Sequence, residues 1–94
     1  MLIIAVTFVP HAEHRTSFLE AVLHNAKVSL EVEAGCRCFD VCTNHDNSEV
    51  FLYEQYTDDH AFDEVHLKSA HFIDFNELTS AWVADKKVSR YTLK

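Results

Sequence analysis

Four side chains stand out because their chemistry does not suit the positions they occupy. Asn25 and Ser29 lie four residues apart inside an otherwise apolar helical stripe that includes Phe18, Ala21, Val22 and Val32. A polar group buried there costs roughly 1–3 kcal/mol if unpaired. Either the two bond each other or a nearby backbone carbonyl, or they face a hollow and touch a ligand. If the second helical region is continuous there, His66 shares a face with Phe62, Val65, Ser69 and Ile73. An imidazole so placed is either a satisfied core histidine or a group that moves protons near neutral pH. Glu54 stands in the run Phe51-Leu52-Tyr53-Glu54-Gln55-Tyr56, where alternation puts Val50, Leu52, Glu54 and Tyr56 on one face. A buried carboxylate needs a partner, and a structural and a catalytic role are both open for it.

Other chemistry-bearing groups carry less. His11 and His14 sit at a helix start among polar residues and are expected to face solvent. By alternation, Cys36, Cys38, Asp40 and Cys42 share one strand face, but no CxxC pair or neighbouring histidine completes a metal site, so none is expected. Cys36 and Cys38 are too close along an extended chain for an unstrained disulfide. His71 falls about 140° from His66 on an ideal helix, so both point inward only if the helix breaks between them. A single glycine, Gly35, cannot build a phosphate-binding loop, and no nucleophile elbow is present. A nicotinamide or flavin site of the usual kind is therefore not expected.

The elements that must position these groups read as follows. Leu2–Val9 is β-branched and apolar, a strand ended by Pro10. A helix runs from about His11 to Val32, with Leu19, Leu23, Ala26 and Leu30 widening its apolar stripe and Glu20, His24, Lys27 and Glu31 on the opposite face. Gly35 stops it as a residue tolerant of positive φ. Arg37–Thr43 and Val50–Tyr56 form a hairpin across the polar turn Asn44–Ser48. Thr57-Asp58-Asp59 offers caps for a second helical region from about Asp59 to Val83, interrupted near Ser69, and Lys87–Leu93 is the last strand. The order βαββαβ predicts a ferredoxin-like α+β domain over residues 1–94, a four-stranded antiparallel sheet with both helices on one face. The bare face calls for a second copy, so a homodimer is expected.

Composition narrows the partners. The 94 residues suit one domain, and the formal charge of −7 disfavours nucleic acid. No apolar run reaches the ~20 residues of a membrane span. The apolar start has no basic flank or cleavage site, and an odd cysteine number fits a reduced cytoplasmic setting.

The runs HNAKVSLEVEAGCRCFDV and FLYEQYTDDHAFDEVHLKSAHF resemble the antibiotic-biosynthesis-monooxygenase family. The matching elements are Asn25, Ala26 and Ser29; Gly35 and Cys36 in an acidic-Pro-Gly-Cys type of turn, with Ala34 in place of the proline; and Phe39, Asp40 and Val41. They continue through Tyr53, Glu54 and Tyr56; Ala61 and Phe62, then His66; and His71 with Phe72. His66 falls one residue later than in the tightest form of the helix motif. The resemblance implies a dimeric α/β barrel and, for many members, oxidation of a small phenolic or hydroquinone substrate by O2 without metal or flavin. On that basis His66 is the candidate base, with Glu54 orienting it or acting in its place. Asn25, Ser29 and Tyr56 would hold substrate oxygens, and Val22, Phe62 and His71 would complete the substrate site. The resemblance also admits an isomerase of a phosphorylated quorum-sensing signal, working by proton shuttling, for which Arg15, Lys27 and Lys68 are the available cations. Haem degradation is a further family activity, with His66 as an iron ligand. A non-catalytic domain that binds a small molecule is the reading outside enzymology.

Overall fold

The computed structural model describes all residues, Met1–Lys94. Strands β1 (Leu2–Pro10), β2 (Cys36–Thr43), β3 (Val50–Tyr56) and β4 (Val83–Thr92) form one antiparallel sheet in the order β2-β3-β1-β4. Helices α1 (Arg15–Val32) and α2 (Ala70–Thr79) cover one face. A helical turn of π type, Ala61–His66, precedes α2. This is the ferredoxin-like βαββαβ arrangement.

Period-two alternation sets the core. Leu2, Ile4, Val6 and Phe8 of β1 and Val50, Leu52 and Tyr56 of β3 point to the helices, where they meet Phe18, Val22 and Phe75. Phe8, Phe18 and Phe75 form an aromatic cluster with centroids 4.9–6.3 Å apart. No helix is long and apolar enough to cross a membrane.

Several sequence expectations need correction. Leu23, Leu30 and Val32 are exposed, so the buried stripe of α1 is only Phe18, Val22, Asn25, Ala26 and Ser29. Val65 and Ile73 are exposed as well, because the second helical region is not one helix. Ser69 is extended (φ −71, ψ 149) and caps α2 by accepting from the Phe72 N–H. The last strand starts at Val83, not Lys87. A register shift between Cys36 and Cys38 turns Cys36 inward with Phe39 and Val41, so the three cysteines and Asp40 do not share a face. All three cysteines are free.

Gly35 also acts differently from expectation. No glycine has positive φ, and α1 ends because Glu33 turns extended (φ −99, ψ 106). A Cβ on Gly35 would lie 2.6 Å from the Cβ of Ala61 and 3.2 Å from Thr57 Oγ1. The glycine is needed for this close approach, which brings the end of α1 against the start of the Ala61–His66 turn.

Candidate active site

The break at Ser69 decides the site. On a continuous helix His66 and His71 would diverge. Here the chain stops at Ser69 and restarts, and both imidazoles reach Glu33. Nδ1 of His66 lies 2.9 and 3.2 Å from the two Glu33 carboxylate oxygens, and Nε2 of His71 lies 2.5 Å from Oε2. Ser69 reinforces the corner: its hydroxyl donates to the His66 carbonyl at 2.7 Å and lies 3.2 Å from His71 Nε2.

Glu33 is 5 % exposed and His66 2 %. Burial alone would push the Glu33 carboxyl up, but the hydrogen bonds and charges of His66 and His71 outweigh it and hold it below the ordinary carboxylate value. Glu33 is therefore an anion and accepts only, so Nδ1 of His66 must carry the proton it donates. That fixes Nδ1 as the nitrogen bonded to Glu33; in the neutral ring Nε2 is then the basic nitrogen, and it has no hydrogen-bond partner in the chain. Aromatic rings hold the imidazole in place: Phe62 stacks on it at 5.7 Å, with Phe72 at 5.1 Å and Tyr56 at 5.4 Å.

His66 lines a cavity of about 230 Å³ between the sheet and the helices. Nine of its thirteen lining residues are hydrophobic, Phe39, Phe62 and Phe72 among them. The polar ones are Asn25, Glu54, His66 and Lys86. Lys86 and Val88 are the exposed members of the lining, so the opening runs along β4. Arg90, next in the inward row of β4, donates from Nη1 and Nη2 to the Asp63 carboxylate at 3.1 and 2.8 Å and ties β4 to the Ala61–His66 turn.

The sequence-predicted residues divide into two groups. Asn25, Glu54, Phe62 and His66 converge on the cavity. Asn25 is 2 % exposed and its Oδ1 has no partner, whereas Ser29 satisfies itself by donating to the Asn25 backbone carbonyl at 2.8 Å. Ser29, Val22 and Tyr56 are buried in the core and do not line the cavity. His71 faces a second hollow, a groove of about 460 Å³ between α1 and α2 that also has His24, Asn25 and Asp74 on its walls.

Glu54 is not the hydrogen-bonded partner of His66. It accepts from the Tyr56 hydroxyl at 2.5 Å. Burial raises its carboxyl above the ordinary value despite that bond and the charge of His66. Burial, then the Glu54 charge, raises the Tyr56 phenol still more strongly, so Tyr56 stays a neutral donor. The Cys36 thiol is pushed up to about 12 by burial and by Glu33 and Glu54, which makes it a poor nucleophile.

The residue missed from sequence is Glu33. It is the acidic member of the turn before Gly35 and Cys36, but its partners lie 33 and 38 positions away and no local periodicity reveals them. Glu33, His66 and His71 put three possible ligand atoms within 4.8 Å of one another, so a divalent cation could in principle replace their mutual hydrogen bonds.

An antiparallel sheet, two covering helices and an apolar cavity with an oriented imidazole define a ferredoxin-like domain with a hollow between sheet and helices. The sequence profile of the antibiotic biosynthesis monooxygenase family matches residues 1–78, and the chain belongs to that family. Its fold is similar to solved structures over nearly the whole length. A Nitrosomonas europaea protein provisionally described as an antibiotic biosynthesis monooxygenase is 24 % identical, with TM-score 0.92 and coverage of 99 % of this chain and 98 % of that one. PA3566 of Pseudomonas aeruginosa is 26 % identical, with TM-score 0.87 and coverage of 99 % and 94 %. Rv0793 of Mycobacterium tuberculosis is 21 % identical, with TM-score 0.89 and coverage of 99 % and 94 %. Among curated proteins, none matches the sequence.

Proposed function

We propose that this chain is a monooxygenase that oxidises a small phenolic or hydroquinone-type ring with O2, using His66 as the base. The observation that carries the reading is the Glu33–His66 pair: a buried carboxylate fixes Nδ1–H, and the free Nε2 belongs to a residue lining an aromatic cavity. This is the arrangement that general-base catalysis needs, an oriented imidazole with its second nitrogen aimed at substrate. Glu33 takes the orienting part considered above for Glu54.

The chemistry balances without a further reductant. His66 Nε2 accepts the proton of the substrate hydroxyl, and the ring anion gives one electron to O2. The resulting ring radical and superoxide combine to form a C–O bond. His66 returns its proton to the peroxide. Loss of the ring C–H proton and cleavage of O–O then release water and leave a quinone carbonyl. Asn25 Oδ1, buried and unpartnered, suits a hydroxyl donor on the substrate. Glu54, on the same lining, stands beside the ring site with its Oε1 already occupied by the Tyr56 hydroxyl. A phosphorylated sugar fits less well, because hydrophobic residues predominate and Lys86 is the one cation on the lining.

The test is oxygen consumption by the purified protein with a panel of one- and two-ring hydroquinones. We expect turnover, with His66→Ala lowering it by about 10²–10⁴-fold while the fold is kept. No oxygen uptake on any hydroquinone, or a His66→Ala variant as active as the parent, would overturn the reading.

A further inference from the structure

The inward row of β4 carries more charge than a core-facing row should. Thr92, Arg90, Val88 and Lys86 pair across to Leu2, Ile4, Val6 and Phe8 of β1, which all face the helices. Arg90 is neutralised by Asp63, with Asp59 at 3.9 Å. Lys86 has no carboxylate within ion-pair distance, in a chain that carries fifteen acids against eight Lys and Arg. Its ammonium lies 5.2 Å from the centre of the Phe8 ring, and both residues line the cavity. The neighbouring Asp85 and Lys87 pair with Val9 and Thr7, on the opposite face of the sheet. The one acid on the lining, Glu54, feels the Lys86 charge, which lowers its carboxyl, but it lies beyond ion-pair distance of the ammonium, is buried and is bonded to Tyr56.

The cavity is thus polar at two separated places. Buried residues of the lining are Asn25, whose Oδ1 has no partner, and His66, and at the exposed opening stands Lys86 with no ion-pair partner. Aromatic walls lie between. We infer that Lys86 selects a substrate with a carboxylate at the end opposite its reacting hydroxyl, so that the preferred ligand is a hydroxylated aromatic acid and not a neutral phenol. A single ammonium suits a monoanion, and the Phe8 ring 5.2 Å away helps hold it at the opening. This rests on the ring-binding reading of the cavity but not on oxygen chemistry.

Calorimetric titration, in the absence of O2, of a hydroxynaphthoate and the matching naphthol tests it. The unaltered protein should bind the acid about tenfold more tightly, and added salt should shrink the difference. Lys86→Gln should bring the affinities for the two compounds together, Lys86→Arg should keep the preference, and Lys87→Gln, on the other sheet face, should leave it intact. Equal binding of the two compounds, failure of both to bind, or a preference that survives Lys86→Gln would overturn the inference. Because binding is read without turnover, a protein that favours the acid yet consumes no oxygen would sink the monooxygenase proposal alone. One that oxidises naphthols and naphthoates alike would sink this one alone.

Discussion

Two buried carboxylates lie in this small domain, and their surroundings drive them in opposite directions. Glu33 receives two imidazoles and is held below its ordinary value of 4.5; Glu54 receives one phenol and is pushed above it by burial. The consequences for stability have opposite signs. The Glu33 contribution is complete above the unfolded value and is lost as pH falls through the lower folded one. The Glu54 contribution is complete below the unfolded value and is lost as pH rises through the higher folded one. Glu54→Gln, which still offers Tyr56 an acceptor, should therefore gain in melting temperature relative to the parent as pH rises from about 4 to about 8. Glu33→Gln should lose relative to the parent as pH rises to about 5 and then level off, and at neutral pH it gives up hydrogen bonds to a charge of about 1.5–3 kcal/mol. Thermal melts across that range check both, and two difference curves running parallel would contradict the assignment. Turnover separates the pair further. Glu33→Gln can present an amide N–H to Nδ1 and favour the wrong His66 tautomer, so it should cost at least about 10²-fold in rate.

At the level of elements, the site depends on two junctions. One is the extended Ser69, which ends the Ala61–His66 turn and starts α2; the other is the contact of Gly35 with Ala61. Gly35→Ala sets two Cβ atoms 2.6 Å apart and must separate β2 from that turn. Overpacking of this kind costs about 1–3 kcal/mol, and each kcal/mol lowers the melting temperature by about 4–8 °C in a domain of this size. The pairing Gly35→Ala with Ala61→Gly should recover most of the loss, because it exchanges the two methyl groups across one contact. A double variant no more stable than Gly35→Ala would show that the strain lies elsewhere. These junctions also mark where sequence reading stops. Alternation in β1 and β3, and the Asn44–Ser48 turn with its Asp46 and Asn44 side-chain bonds, are local and were legible. So was the convergence of Asn25, Glu54 and His66, since it follows from which face an element hides, whereas a break near Ser69 was one of two readings and the other put Val65 and Ile73 inward. Glu33 was not legible, because an acid just past a helix end resembles a solvated one until the fold sets two distant histidines on it. The role of Gly35 was misread for the same reason: the constraint comes from Ala61, not from its own φ.

For the whole molecule, the sheet has one face under the helices and one without cover. The uncovered side presents Ile3, Ala5 and Val9 of β1, Phe51 and Tyr53 of β3 and Tyr91 of β4, with Phe51 39 % and Tyr91 58 % exposed. A chain of 94 residues buries a modest share of its surface by itself, and a flat sheet face bearing three aromatic rings is better covered than wet. We propose that a second copy covers it, the two sheets packing face to face about a twofold axis so that each Phe51 and Tyr53 meets the partner's sheet. Light scattering at micromolar concentration should then return twice the chain mass of 10.8 kDa. Phe51→Glu combined with Tyr91→Glu should lower it to a single chain, because two unpaired carboxylates cannot be buried in that interface without partners. The cavity opens along β4 on the helix side of the sheet, away from this interface. A monomeric variant should therefore keep its affinity for a hydroxynaphthoate while losing thermal stability that depends on protein concentration. A parent protein that runs as a stable monomer, or a variant whose ligand affinity falls with its mass, would place the second copy elsewhere and make the pocket a property of the assembly.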